Sequence, residues 1–217
     1  MNKNLIFIVI IVILLIVGVI FVVINKNEKG ITSKNIMPED TLSGKKVAII
    51  MAFRDFRDAE YFIPEEILEK AGAKVTTVSN KKGIAIGADG GDVEVNLAIE
   101  EVNLSEFDAV VFIGGPGCLQ NLDNENSYKI IKETVEQDKI LGSICISPII
   151  LAKAGVLTGK KATVWSSLLD KSAVKILKDN GAIYEDENVV VDGKLVTGNG
   201  PGAAEEFSYN IVSLWRR

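Results

Sequence analysis

Two kinds of hydrophobic pattern divide this chain. The first is a continuous run, LIFIVIIVILLIVGVIFVVI (5–24), 20 residues without a charge or a polar side chain. Coiled as a helix it spans about 30 Å, the hydrocarbon thickness of a bilayer. It lacks the polar stripe of a buried core helix. It is also longer than the roughly 7–15 apolar residues of a signal peptide, and no small-residue cleavage site follows it. The pattern predicts an uncleaved transmembrane anchor over residues 1–24, with lipid around residues 5–24. Lys26, Lys29 and Lys34 flank its far side, against Lys3 and the α-amine on the near side. The positive-inside rule then places the following domain in the cytoplasm, as part of a single-pass membrane protein. Residues 25–44 are polar and aperiodic, and read as a linker.

The second pattern starts near Lys45. Short apolar runs alternate with stretches of helical spacing. KVAIIMAF (46–53) and KVTTVS (74–79) read as strands, separated by a helical stretch, DAEYFIPEEILEKAG (58–72), in which Pro64 marks a kink or a helix start. GIAIGADGGDVEVN (83–96) reads as a hairpin about a Gly-rich turn. DAVVFIGG (108–115) is a nearly unbroken apolar run, the signature of a central parallel strand. A helix over about 119–137, a strand ILGSIC (140–145), a helix over 147–154, a strand KATVW (161–165), a helix near 168–180, a hairpin NVVVDGKLVTG (188–198) and a closing helix over 202–215 complete the series. Such alternation specifies an α/β layered domain with a largely parallel sheet. Ligand sites in these sheets lie at the carboxyl ends of the strands. Three loops fall there: after Phe53, after Phe112 and at Cys145.

Charge and composition narrow the function. Without the first 24 residues the chain holds 23 basic and 29 acidic residues, a net charge of −6. An acidic domain without a basic stripe argues against nucleic acid as a partner. Two cysteines and no histidine exclude a disulfide scaffold and disfavour a zinc site, so no metal and no cofactor is expected.

The candidate chemistry sits in LGSICISPIILAKAG (141–155), where a strand runs straight into a helix with Cys145 at the junction. Such a junction strains and exposes its central residue, and its neighbours two positions away must be small. They are Ser143 and Ser147. Pro148 suits a first helical turn. Backbone N–H groups and the helix dipole at such a turn favour a thiolate. A small buried apolar cysteine fits the spacing equally well. GGPGC (114–118) closes the central strand with amides able to face an oxyanion, or is simply a tight turn. GVLTGKK (155–161) has the wrong spacing for a phosphate loop. Glu60 lies just after the first strand, a position where most carboxylates are surface caps.

Four ordered stretches make the chain resemble the ThiJ/PfpI family: FRDAEYFIPEEILEKAGAKV, DAVVFIGGPGCLQNL, ICISPIILAKAGVLTGKKAT and VVVDGKLVTGNGPGAAEEF. They cover about 45–214. The family includes protease-like, glyoxalase- or deglycase-like and isonitrile-hydratase members. The resemblance implies a flavodoxin-like α/β three-layer sandwich, related to class I glutamine amidotransferases and often a homodimer. It also implies Cys145 as the reactive thiol, Glu60 within hydrogen-bond reach of it, and the amides of Gly115 and Ile146 as an oxyanion hole.

One departure matters. Protease-like members carry histidine directly after the cysteine, where this chain has Ile146. Others carry one after the next strand, where it has Trp165. A Cys–His peptidase dyad cannot form within this chain. Three functions stay open: a cysteine-dependent hydrolase or lyase acting on a small electrophile such as a reactive carbonyl, a membrane-tethered redox sensor with Cys118 as the candidate partner of Cys145, and an anchored interaction domain with a relic elbow. In the first, Glu60 must be protonated to assist, because a carboxylate against the sulfur would hold the thiol's proton on.

Overall fold

The computed structural model describes residues 41–216. The predicted anchor, most of the linker and the membrane orientation fall outside the described residues. Within them, no helix is long and apolar enough to cross a membrane.

Among the described residues, twelve strands form three sheets: β1 (Lys46–Met51), β2 (Arg54–Phe56), β3 (Lys74–Ser79), β4 (Gly83–Gly87), β5 (Asp92–Val95), β6 (Leu97–Ala98), β7 (Ala109–Phe112), β8 (Ile140–Ile144), β9 (Lys161–Ala162), β10 (Ile183–Tyr184), β11 (Val189–Asp192) and β12 (Leu195–Gly198). Six helices connect them: α1 (Asp58–Lys70), α2 (Cys118–Leu122), α3 (Glu125–Glu136), α4 (Pro148–Lys153), α5 (Ser172–Asp179) and α6 (Ala204–Leu214). The main sheet has the order β11-β12-β8-β7-β1-β3-β6 and is parallel apart from β11. β2, β4 and β5 form a small separate sheet, and β9 pairs with β10.

Alternation along the strands sorts side chains between two layers. Ala48, Ile50, Val110, Phe112 and Leu141 join the core of α2, α3, α4 and α5 on one face. On the other, α1 packs against α6. A Cβ on Gly142 would lie 2.9 Å from Ile211 Cδ1 and 3.0 Å from Phe207 Cζ, so α6 rides directly on that strand. The result is the expected α/β sandwich about a mixed, largely parallel sheet. The fold also reaches slightly before Lys45: Leu42 is fully buried, and its N–H donates to Ala71 O.

Several elements differ from the sequence pattern. The stretch 119–137 is two helices, because Asn124 adopts an extended backbone and its side chain accepts from the N–H groups of Asn126 and Ser127. Such a cap is worth about 1 kcal/mol, enough to start a new helix rather than continue an old one. The strand at 161–165 stops at Ala162. Beyond it Thr163 N donates to Thr197 Oγ1 and Trp165 N to Cys145 O, so its donors serve the neighbouring strand's side chain and the elbow instead of a ladder. The helix at 168–180 starts only at Ser172. Ser167 Oγ accepts from Leu169 and Asp170 N–H, a local turn that outcompetes helix, and Asp170 accepts from Ser172 N–H. Pro64, in contrast, neither starts nor ends a helix. It sits buried inside α1, where it leaves the Glu60 carbonyl without its usual donor.

Candidate functional site

The carboxyl ends of β1, β7 and β8 bring the three candidate loops together. Cys145 follows β8 with φ +66°, a left-handed conformation that costs a non-glycine residue about 1–2 kcal/mol. The serines on either side hold it there. Ser143 and Ser147 share a hydroxyl contact at 2.7 Å. Ser147 Oγ also accepts from Ile144 N–H and lies within hydrogen-bond distance of the carbonyls of Ile144 (2.7 Å) and Phe112 (2.9 Å). The small residues expected for steric reasons therefore also tie the elbow to β7.

Gly114 and Gly115 bring the second loop against it. A Cβ on Gly114 would fall 2.6 Å from Cys145 Cβ and 2.8 Å from Glu60 Oε2, so thiol and carboxyl flank the same glycine. Gly115 has φ +108°, and a Cβ there would lie 2.4 Å from Arg57 N. That close approach lets Arg57 N–H donate to Gly114 O, docking the start of α1 on this turn. The amides of Gly115 and Ile146 both face the Cys145 sulfur.

Glu60 lies on the first turn of α1 and is fully buried. Its Oε2 accepts from Gly114 N–H at 3.1 Å. Oε1 has no hydrogen-bond partner among the described residues, and the Cys145 thiol lies beside the carboxyl at Gly114. Burial pushes the carboxyl up to about 7, against the opposing pull of Cys145, Gly114 and Arg57. The thiol is pushed up to about 12, first by burial and then by the Glu60 charge, while the Gly115 and Ile146 amides act in the opposite sense. Burial and the Glu60 charge thus outweigh the pull of the elbow amides toward a thiolate. α4 is only six residues long and starts three residues beyond Cys145, so its dipole is a weak counterweight. The two acids titrate as a pair, and only when Glu60 holds its proton is the repulsion of a thiolate relieved.

Cys145 opens on a cavity of about 300 Å³ lined by Arg57, Gly115, Pro116, Leu119, Ile146 and Trp165. Trp165 thus supplies an apolar wall. Arg57 was not singled out from the sequence. Its only signal was a basic residue three positions before Glu60 in FRDFRDAEY. Cys118 is fully buried in the core at the start of α2, and both cysteines are free thiols. Burial pushes the Cys118 thiol well up.

A largely parallel sheet, a strained cysteine between strand and helix, two amides on its sulfur and a buried carboxyl beneath define an α/β protein of the cysteine-elbow class. Residues 45–214 match the DJ-1/PfpI family, and the chain belongs to it. It is 39% identical over 189 residues to the protein MJ0967 of Methanocaldococcus jannaschii, covering 87% of this chain and 86% of that one. It is 36% identical to Deglycase PYRAB04690 of Pyrococcus abyssi and 34% identical to Deglycase PfpI of Pyrococcus furiosus, covering in each case 76% of this chain and 97% of the relative. A ThiJ/PfpI domain protein from Brachyspira murdochii has a solved structure that aligns with a TM-score of 0.74 at 33% identity, over 80% of this chain and 98% of that one.

Proposed function

We propose that this protein is a membrane-anchored, cysteine-dependent enzyme acting on small reactive carbonyl compounds, with Cys145 as nucleophile and Glu60 as proton carrier. The observation that carries the reading is the placement of Cys145, on the wall of a cavity, beside the fully buried carboxyl of Glu60 at Gly114, with two amides directed at the sulfur. Deglycases among its relatives favour the same substrate class. Anchoring rests on the apolar run 5–24.

The sulfur attacks the carbonyl carbon. A C–S bond forms, and the π pair moves onto oxygen. The Gly115 and Ile146 amides hold that oxyanion, where donors aimed at developing charge are worth most. Glu60 relays the thiol proton to the oxygen, giving a neutral hemithioacetal. No histidine is needed for this step, because one carboxyl with a value near 7 can both accept and donate near neutral pH.

The test is methylglyoxal consumption by the full chain in detergent micelles. Turnover is expected in the wild type and in Cys118→Ser, and none in Cys145→Ser. Turnover surviving in Cys145→Ser would overturn the reading. The absence of histidine favours one second reading, a peroxide sensor, since oxidation of a thiolate needs less proton transfer. Oxidation of Cys145 by peroxide without turnover of any carbonyl compound would select it.

A further inference from the structure

Among the described residues lining the Cys145 cavity, Arg57 is the one charged side chain; the others are glycine, proline, apolar side chains and the thiol itself. The guanidinium is held in place by a dedicated strut. Asp58 accepts from the N–H groups of Asp89 and Gly91, which pins the turn between β4 and β5 beneath α1. Gly87 and Gly91 allow that approach: a Cβ on either would fall within 2.4 Å of an Asp58 carboxylate oxygen. Ala88 N donates to Phe56 O and fastens the same turn to β2. The turn then presents Asp89, whose two oxygens take Arg57 Nη1 at 2.9 and 3.1 Å.

This arrangement uses one nitrogen of the guanidinium. Nε and Nη2 make no hydrogen bond among the described residues, and about a third of the side chain is exposed. A solvent-exposed ion pair contributes little to stability, so stability does not account for a strut of this kind. A fork of fixed donors does suit a carboxylate.

We propose that Arg57 makes this cavity a site for anionic carbonyl compounds: a small aldehyde or ketone bearing a carboxylate, with the carboxylate on the Arg57 guanidinium and the carbonyl over Cys145. The reaction at that carbonyl rests on the function proposed above; the anion preference does not.

The experiment separates the two. Cys145 in the full chain, in micelles, is alkylated by iodoacetate and by iodoacetamide. In both cases the sulfur attacks the methylene carbon and iodide leaves. The thiolate fraction cancels in the ratio of the two rates, which then reads local charge alone. Arg57→Gln is expected to lower the iodoacetate-to-iodoacetamide ratio roughly three- to tenfold, the range for losing one charge a few ångströms away in a partly solvated site. Arg57→Lys should keep most of it, and Asp89→Asn should raise it. A ratio changed less than about twofold in Arg57→Gln would overturn the proposal. In turnover, Arg57→Gln should penalise glyoxylate at least about fivefold more than methylglyoxal in kcat/KM, the loss expected from one removed charge contact. Equal penalties would also overturn it. If no variant consumes either aldehyde, the enzyme reading fails, and the alkylation ratio still decides the anion site.

Discussion

Replacing Glu60 with glutamine removes the charge beside the sulfur and keeps a hydrogen-bond donor in its place. In the wild type, Glu60 sits at about 7 and Cys145 at about 12, each raised chiefly by burial, with the Glu60 charge the next contribution at the thiol. Such a pair gives up its two protons in steps that belong to both groups. The first, near 7, yields a monoanion whose charge is shared between carboxylate and thiolate. The second, near 12, forces both to ionise. The rate of Cys145 alkylation by iodoacetamide should therefore rise with pH in two steps, with a plateau between them. Its height measures how often the monoanion is a thiolate beside a protonated Glu60. In Glu60→Gln the like-charge repulsion is gone, while burial and the two amides remain. One step should replace two, with a midpoint at least one to two units below the upper wild-type step, and hence roughly 10- to 100-fold more thiolate at pH 9 than a thiol near 12 would show. Peptide mass spectrometry would locate the label on Cys145. Turnover should fall in the same variant, because glutamine cannot relay a proton. A wild-type profile with a single step coincident with that of Glu60→Gln, or a variant whose thiol stops reacting at all pH values, would refute the coupling.

The same substitution makes a stability prediction. The folded-state value of Glu60 is raised from an ordinary 4.5 to about 7. The proton on Glu60 therefore stabilises the fold fully below about pH 4.5, and that contribution is lost as pH rises through 7. The difference of about 2.5 units corresponds to roughly 3 kcal/mol. Glu60→Gln should match wild type in urea denaturation near pH 4.5 and exceed it by up to that amount at pH 8; no pH-dependent gap would contradict the buried, raised carboxyl. Gly115→Ala should destabilise by more than about 3 kcal/mol, because its Cβ meets three backbone atoms at 2.4–2.7 Å and its φ of +108° suits only glycine. A urea midpoint close to wild type would show that the loop gives way instead.

Local pattern carried most of the architecture. The near-continuous apolar runs of β7 and β8, the alternation in the hairpin of β4 and β5, and the cysteine between small serines are each legible within a few residues, since each reflects a neighbour two to four positions away. Boundaries failed where a side chain captured a backbone group. Asn124 and Ser167 are examples, and their capping and turn chemistry stood in the sequence beside a stronger hydrophobic period. The early end of β9 had no such local signal, because the donors just beyond it, Thr163 N–H and Trp165 N–H, go to Thr197 and to Cys145 O, 34 and 20 residues away in the chain.

At the candidate site, sequence determined which groups are present: a thiol at an elbow, a carboxyl after the first strand, amides in glycine turns, and no histidine anywhere. Tertiary structure decided how those groups behave. Only packing buries Glu60 completely and sets it beside the sulfur, which moves two ionisations by units that no motif encodes. Only the contact of a distant hairpin turn with α1 fixes the Arg57 guanidinium at the cavity wall, through Asp58 and Asp89. The reason is common to both cases: residue type sets what a group can donate, accept or ionise, whereas burial and the distance to a neighbour remote in sequence set the free energy of doing so.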